Sequence, residues 1–181
     1  MIGLVSNPLF LQSFGVISMT LTLQTLQTLV HTSQEIYGFI ANIKSSTSVY
    51  HKNINVLLIE LDLESEILLL ESLLKEINIE KYYTQTLAIC LNLMKTCLLD
   101  IHQIITQIHD RVIYNNKLWV SGYGTFSYKF DDIIVKLSGL YNNLIKRKNN
   151  LFKILTINSQ LLLLNTDKNI DCIDTSVVIV E

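Results

Sequence analysis

LAICLNLMKTCLLDIHQIITQIHDRV, residues 87–112, places apolar side chains at Leu87, Leu91, Met94, Leu98, Ile101, Ile105, Ile108 and Val112. Successive members are four, three, four, three, four, three and four residues apart. That spacing follows the helical turn and draws one stripe along a helix of about seven turns. Working outward, Met19, Leu23, Leu26, Val30, Ser33, Tyr37 and Ile40 repeat the pattern upstream, with Ser33 alone out of character. Between the two lie Ile54, Leu57 and Leu61, then Leu63, Ile67, Leu70, Leu74 and Ile77. The shift of phase between Leu61 and Leu63 predicts a helix that shows a wide apolar face to two neighbours. Downstream come Phe130, Ile134, Leu137, Tyr141, Leu144, Leu151 and Leu155, with Lys148 in the intervening position.

These stripes predict helices near residues 8–43, 48–77, 80–115 and 128–157. Asn7 is placed to cap the first and Pro8 to open it. The connection 115–127, NNKLWVSGYGTFS, breaks the helix at Gly122 and Gly124. It offers Trp119, Tyr123 and Phe126 as an aromatic plug and Thr125 or Ser127 as the next cap. Asp131 and Asp132 then suit the positive end of the helix dipole. Short connections make consecutive helices antiparallel neighbours. The expected fold is therefore an all-α antiparallel bundle of four or five helices over residues 1–157. A tail, 158–181, is expected to form a short helix and then an extended or disordered end.

Composition agrees. The chain has 181 residues, one Pro and six Gly, which disfavours a turn-rich β-fold. Charged residues make up 17% and apolar ones 49%, against about 25% charged in an average soluble domain. With a mean hydropathy of +0.35, part of the helix surface is expected to be apolar and to meet a partner or a membrane. A net charge of −2 gives nucleic acid nothing to bind.

The scarce charge is also unevenly placed. No Asp, Glu, Lys or Arg precedes Glu35, and Thr and Gln residues interrupt the apolar ones throughout that stretch. The Leu9–Val30 window is too polar for a transmembrane helix, which needs about 20 predominantly apolar residues. It suits a protein core or a lipid interface. Nothing before Lys44 supplies the basic region of a signal peptide. Acids crowd residues 60–80 (Glu60, Asp62, Glu64, Glu66, Glu71, Glu76 and Glu80), whereas Lys129, Lys136, Lys146, Arg147, Lys148 and Lys153 dominate 129–153. Two solvated faces are the plain reading of this segregation; complementary packing of the second and fourth helices is the other.

No constellation in the chain carries chemistry. His102 and His109 share a helix face, and His109 with Asp110 forms a His-Asp doublet of the kind helical metal-dependent phosphohydrolases use. The remaining ligands would have to come from His31 or His51 and from Asp131 or Asp132, without a metal-binding spacing. The histidines are read as polar residues on the outward face of the third helix. Cys90 and Cys97 stand about 10 Å apart on one helix, too far for a disulfide. They read as small core residues without an activating base. Three cysteines and no glycosylation sequon suit a reducing, cytoplasmic setting. No enzyme, catalytic residue, cofactor or metal site is expected. Lys146, Arg147 and Lys148 could contact anionic lipid headgroups, though a solvated helix end fits them as well.

Asn7-Pro8-Leu9, the uncharged first helix running to IKSS, and the leucine- and acid-rich INVLLIELDLESEILLLESLL resemble the N-terminal helical domains of fungal NLR-like proteins over about residues 5–115. Asn7 stands where that family has Asp, and Leu9-Phe10 where Leu-Ser follows the proline. The pattern is also similar to the HeLo-like bundle and to the amino-terminal bundle of mixed-lineage-kinase-like pseudokinases, whose last amphipathic helix Phe130–Leu155 resembles. The resemblance implies a signalling or adaptor bundle, and in some relatives a membrane-permeabilising one with the first helix as effector. Such a chain would be a stand-alone adaptor, a decoy or part of a longer gene. The contact surface expected from the residues is a second uncharged series, Phe10, Phe14, Ile17 and Leu21. It would meet a partner protein, a second copy or a membrane.

Overall fold

The computed structural model describes the backbone of residues 8–45, 52–120 and 128–171, and the side chains of 19–45, 52–118 and 128–164. Every element among them is helical: α1 (Pro8–Ser45), α2 (Lys52–Glu60), α3 (Leu63–Glu76), α4 (Ile79–Tyr82), α5 (Gln85–Val120) and α6 (Asp131–Asp171). The all-α expectation is met. Asn7, His51 and residues 121–127, with the expected caps Thr125 and Ser127, lie outside the described residues, as does the Trp119 side chain.

The α5 stripe is the centre of the molecule. All eight of its members, Leu87 through Val112, are buried, and Cys90 and Cys97 beside them are buried free thiols. Burial pushes both thiols up, and the charge of Arg147 opposes it only in part. Against α5 lie Leu29, Ile36, Ile40 and Ile43 of α1 and Leu137, Leu144 and Leu151 of α6, in one core that also takes in Ile67, Leu70 and Leu74 of α3.

The phase shift at Leu61–Leu63 is a real break. Asp62 adopts the left-handed conformation (φ 46°), which Asp tolerates better than most side chains. Its carboxylate Oδ1 accepts from Ser65 Oγ at 2.7 Å, and its carbonyl accepts the first helical bond of α3 from Glu66 N. The expected single second helix is thus two helices, and the kink re-aims the apolar face. Asn78 caps α4 by accepting from Lys81 N, and Thr84 caps α5 by accepting from Leu87 N at 3.1 Å. Asn158 of α6 donates to Tyr82 O and Thr84 Oγ1, tying α6 to that corner.

Residue pairs between elements fix the directions. Lys44 meets Glu64 and Gln34 meets Glu71, so α1 and α3 run antiparallel. Arg111 meets Asp132 and Arg147 meets Leu93, so α5 and α6 also run antiparallel. Thr25 meets Asn92, and Phe39 meets His102 and His109, so the neighbours α1 and α5 run the same way. Lys148, in the core-facing gap of the α6 stripe, forms an ion pair with Glu66 of α3. The acid-rich and base-rich segments therefore do touch at one point, besides their solvated stretches.

Two sequence readings are corrected. The inward face of α1 is wider than the Met19–Ile40 series, of which Ser33 and Ile40 are buried and Met19, Leu26 and Val30 pack half-buried against the core. Its most deeply buried line runs through Thr22, Thr25, Leu29, Thr32, Ser33, Ile36, Ile40 and Ile43, while Leu23 and Tyr37 are 38% and 36% exposed. And α6 does not stop near residue 157 but continues unbroken to Asp171, because residues 158–171 hold neither Pro nor Gly to end it.

Where α6 begins, Arg111 forks onto both oxygens of Asp132 at 3.0 and 3.2 Å and also donates to Lys129 O. These hydrogen bonds hold the Asp132 carboxyl below its ordinary value of 3.8. A carboxylate lowered on folding adds stability that is complete above its unfolded value and fades as the pH falls below it. Replacing Asp132→Asn is expected to flatten the acid side of the melting-temperature profile and to leave the neutral side nearly parallel to the parent. An unchanged acid slope would show that the fork contributes nothing.

Candidate interaction surface

The inverted face of α1 defines the surface. Thr22, Thr25, Thr32 and Ser33 turn inward, Thr22 being only 3% exposed, whereas Leu21 is 57% exposed. Inside, Thr25 Oγ1 donates to Asn92 Oδ1 of α5 at 3.2 Å, and Ser33 Oγ donates to its own helix at Leu29 O. A buried leucine contributes roughly 1.5–3 kcal/mol, and a threonine methyl far less. Around Thr22 and Thr25 the apolar contacts come from the half-buried Met19, Leu26 and Val30, so this end buries less apolar surface than the end carrying Ile36, Ile40 and Ile43.

Of the four residues predicted from sequence, Leu21 is exposed as expected. Phe10, Phe14 and Ile17 belong to α1, but their side chains lie outside the described residues. From Pro8 to Gln34 the helix carries no charged residue. Beside this face, Leu26, Gln27, Val30, His31 and Gln34 of α1 form a shallow groove of about 280 Å³ with Leu74 and Lys75 of α3.

Lys146, Arg147 and Lys148 do not form one patch. Arg147 Nη1 donates to Leu93 O at 2.7 Å, Lys148 is engaged by Glu66, and Lys146 alone of the three is exposed. The triplet holds α6 to α5 and α3 more than it offers charge to a surface.

The histidines also differ from the sequence reading. His102 and His109 are partly buried rather than outward, each tilted against the Phe39 ring at centroid distances of 5.7 and 4.9 Å. Glu35 Oε2 lies 3.3 Å from His31 Nδ1 and 3.5 Å from His102 Nε2. Sequence reasoning missed this meeting. Its one signal was that Glu35 is the first charge in the chain and stands one turn after His31. No group of three His, Cys, Asp or Glu among the described residues is arranged to hold a metal ion. Asp132, once a conceivable ligand, is taken by Arg111.

One described helix, α5 over Gln85–Leu118, is long and apolar enough to cross a membrane, yet 50% of the qualifying window is buried inside the protein. A core helix passes the same test. No protein-family model, curated protein or solved structure matches the chain.

Proposed function

We propose that the chain is a non-enzymatic signalling or adaptor module, of the kind found at the N-terminus of fungal NLR-like proteins, acting through protein contacts made by α1. On this reading α1, α2–α3, α5 and α6 are the four layers of a cytoplasmic helical bundle in which chain neighbours alternate in direction. The observation that carries it is the orientation of α1: the hydroxyls of Thr22, Thr25, Thr32 and Ser33 inward, Leu21 and Leu23 outward. A helix that serves only its own core places these side chains the other way round.

The absence of charge from Pro8 to Gln34 favours a second reading, in which the same face lies in lipid and the bundle is membrane-active. Both are tested with the double substitution Leu21→Glu/Leu23→Glu. Exposed positions change stability by only about 0.5 kcal/mol, so the variant should melt like the parent. It is expected to lose self-association in sedimentation, or capture of a partner from extracts of its own cells. Loss of leakage from anionic vesicles instead would favour the membrane reading. A variant that keeps every association of the parent removes α1 from the function.

A further inference from the structure

α1 packs on α5 and on α3, and α5 packs on α6, but α3 and α6 barely touch. The ion pair of Glu66 with Lys148 bridges them at one level. Further down, the gap becomes a groove of about 300 Å³, with Leu73 and Ile77 on the α3 side and Phe152 and Leu155 on the α6 side. An open apolar seam between two helices is an interaction face in want of a cover.

Both walls continue outward as stripes at helical spacing. On α3, Leu69, Leu73 and Glu76 are four and three residues apart, and Leu69 is 61% exposed. On α6, Phe152, Thr156 and Ser159 repeat that spacing, and Phe152 is 48% exposed. Charges stand at the outer edges. Glu76 edges the α3 stripe, and Lys153 follows Phe152, turned further from the buried Leu151. Both are exposed, and neither belongs to an ion pair among the described residues. The face is thus acidic at one edge, basic at the other and apolar between.

Such a face is complementary to itself. α3 runs against α1, and α6 runs against α5, while α1 and α5 run the same way, so α3 and α6 are parallel. A two-fold axis along the seam therefore lays α3 of one copy over α6 of another without changing any height. The register is set by Glu66 and Lys148, and Leu73 and Leu155 keep the same offset. Leu69 then meets the second copy's Phe152, and Leu73 meets its Leu155. Glu76 and the second copy's Lys153 differ in height by about 7 Å, which the two extended side chains cover. Charge at both edges disfavours lipid as the cover. With α3 about 21 Å long and each helix about 10 Å wide, the outline is about 400 Å², below the roughly 800 Å² per partner of a standard interface. The pairing is therefore reversible.

We infer that the α3–α6 face pairs two copies of this chain about a two-fold axis along the seam, with Glu76 of each copy on Lys153 of the other. The face shares no residue with α1. The Leu21→Glu/Leu23→Glu variant keeps this pairing while losing any made through α1, so the two readings fail separately.

The test is sedimentation equilibrium of the full chain, in which the parent is expected to dimerise with a Kd of about 100 µM. Glu76→Lys and Lys153→Glu each bring like charges together twice per pair, and each alone should weaken the dimer about tenfold or more. An equimolar mixture of the two variants should restore it, because the mixed pair holds two attracting contacts again. Leu69→Glu, at the most exposed apolar position of the face, should also leave a monomer. Circular dichroism melts check that all three variants stay folded, as their exposure leads us to expect. A parent that stays monomeric overturns the proposal and leaves the face to a different partner. Single variants that associate like the parent, or a mixture no better than its components, overturn it too, because the association then uses another surface.

Discussion

Leu98→Asp is expected to unfold the protein, whereas Leu99→Asp, one residue along, is expected to leave it nearly as stable as the parent. Leu98 is fully buried at the middle of the α5 stripe and Leu99 is 44% exposed. Removing a buried leucine costs about 3–5 kcal/mol through lost transfer energy and the cavity left behind. A carboxylate in its place adds the cost of burying a charge. The sum is comparable with the whole stability of a domain, about 5–15 kcal/mol. At Leu99 the same substitution meets water and should shift stability by about 0.5 kcal/mol. Circular dichroism melts of the two variants decide the matter. Equal melts, at either extreme, would mean that α5 does not present this stripe to the core.

The contrast between α5 and α1 shows what the sequence can and cannot report. In α5 the apolar series is flanked by Lys95, Asp100, Asp110 and Arg111, and charge marks the wet side as clearly as the leucines mark the dry one. In α1 no such mark exists before Glu35. Two series at helical spacing, Met19–Leu23–Leu26–Val30 and Thr22–Thr25–Leu29–Thr32, are both compatible with burial. Hydropathy favours the first, but the fold buries the second and leaves Met19, Leu26 and Val30 of the first half-buried against the core. Thr25 finds a partner in Asn92 of α5, which offsets the cost of turning its hydroxyl inward, and beside it Gln34 meets Glu71 of α3. Such pairings join residues far apart in the chain, so no local pattern contains them.

Other features were local and therefore legible. The change of phase at Leu61–Leu63 was visible, but it read as one helix with a wide apolar face, where the chain in fact breaks into α2 and α3. Asp131 and Asp132 marked the start of α6, although the helix opens at Asp131 itself rather than after a Thr125 or Ser127 cap. The end of α6 was misplaced because Leu161–Leu164 and the polar run after it lack amphipathic spacing, yet nothing in them forbids helix. For the candidate site the exposure of Leu21 was foreseen. The outward turn of Leu23, which completes the apolar face, was not.

Asn115 offers the second large effect, in a residue the sequence assigned to a loop. It lies inside α5, almost wholly buried, and its amide closes a two-bond ring with the chain entering α6: Nδ2 donates to Tyr128 O at 3.0 Å and Oδ1 accepts from Tyr128 N at 2.8 Å. One side chain thus stands in for a backbone partner. Asn115→Ala leaves both groups of Tyr128 without it, and we expect a loss of about 2–3 kcal/mol, moderated by water at the exposed Tyr128 side. Asn115→Asp keeps the shape but turns the donor into a second acceptor facing Tyr128 O. Ionised, that carboxylate is buried against a carbonyl; protonated, it restores both bonds. Its pKa must therefore rise on folding, and a group whose folded value is raised binds its proton more tightly in the native state. The sign follows: stability of Asn115→Asp should increase as the pH falls through that raised value, while Asn115→Ala has no such gain. Denaturant unfolding of both variants at neutral and at mildly acid pH separates them. If the two respond to acid alike, the amide ring is not what joins α5 to the start of α6.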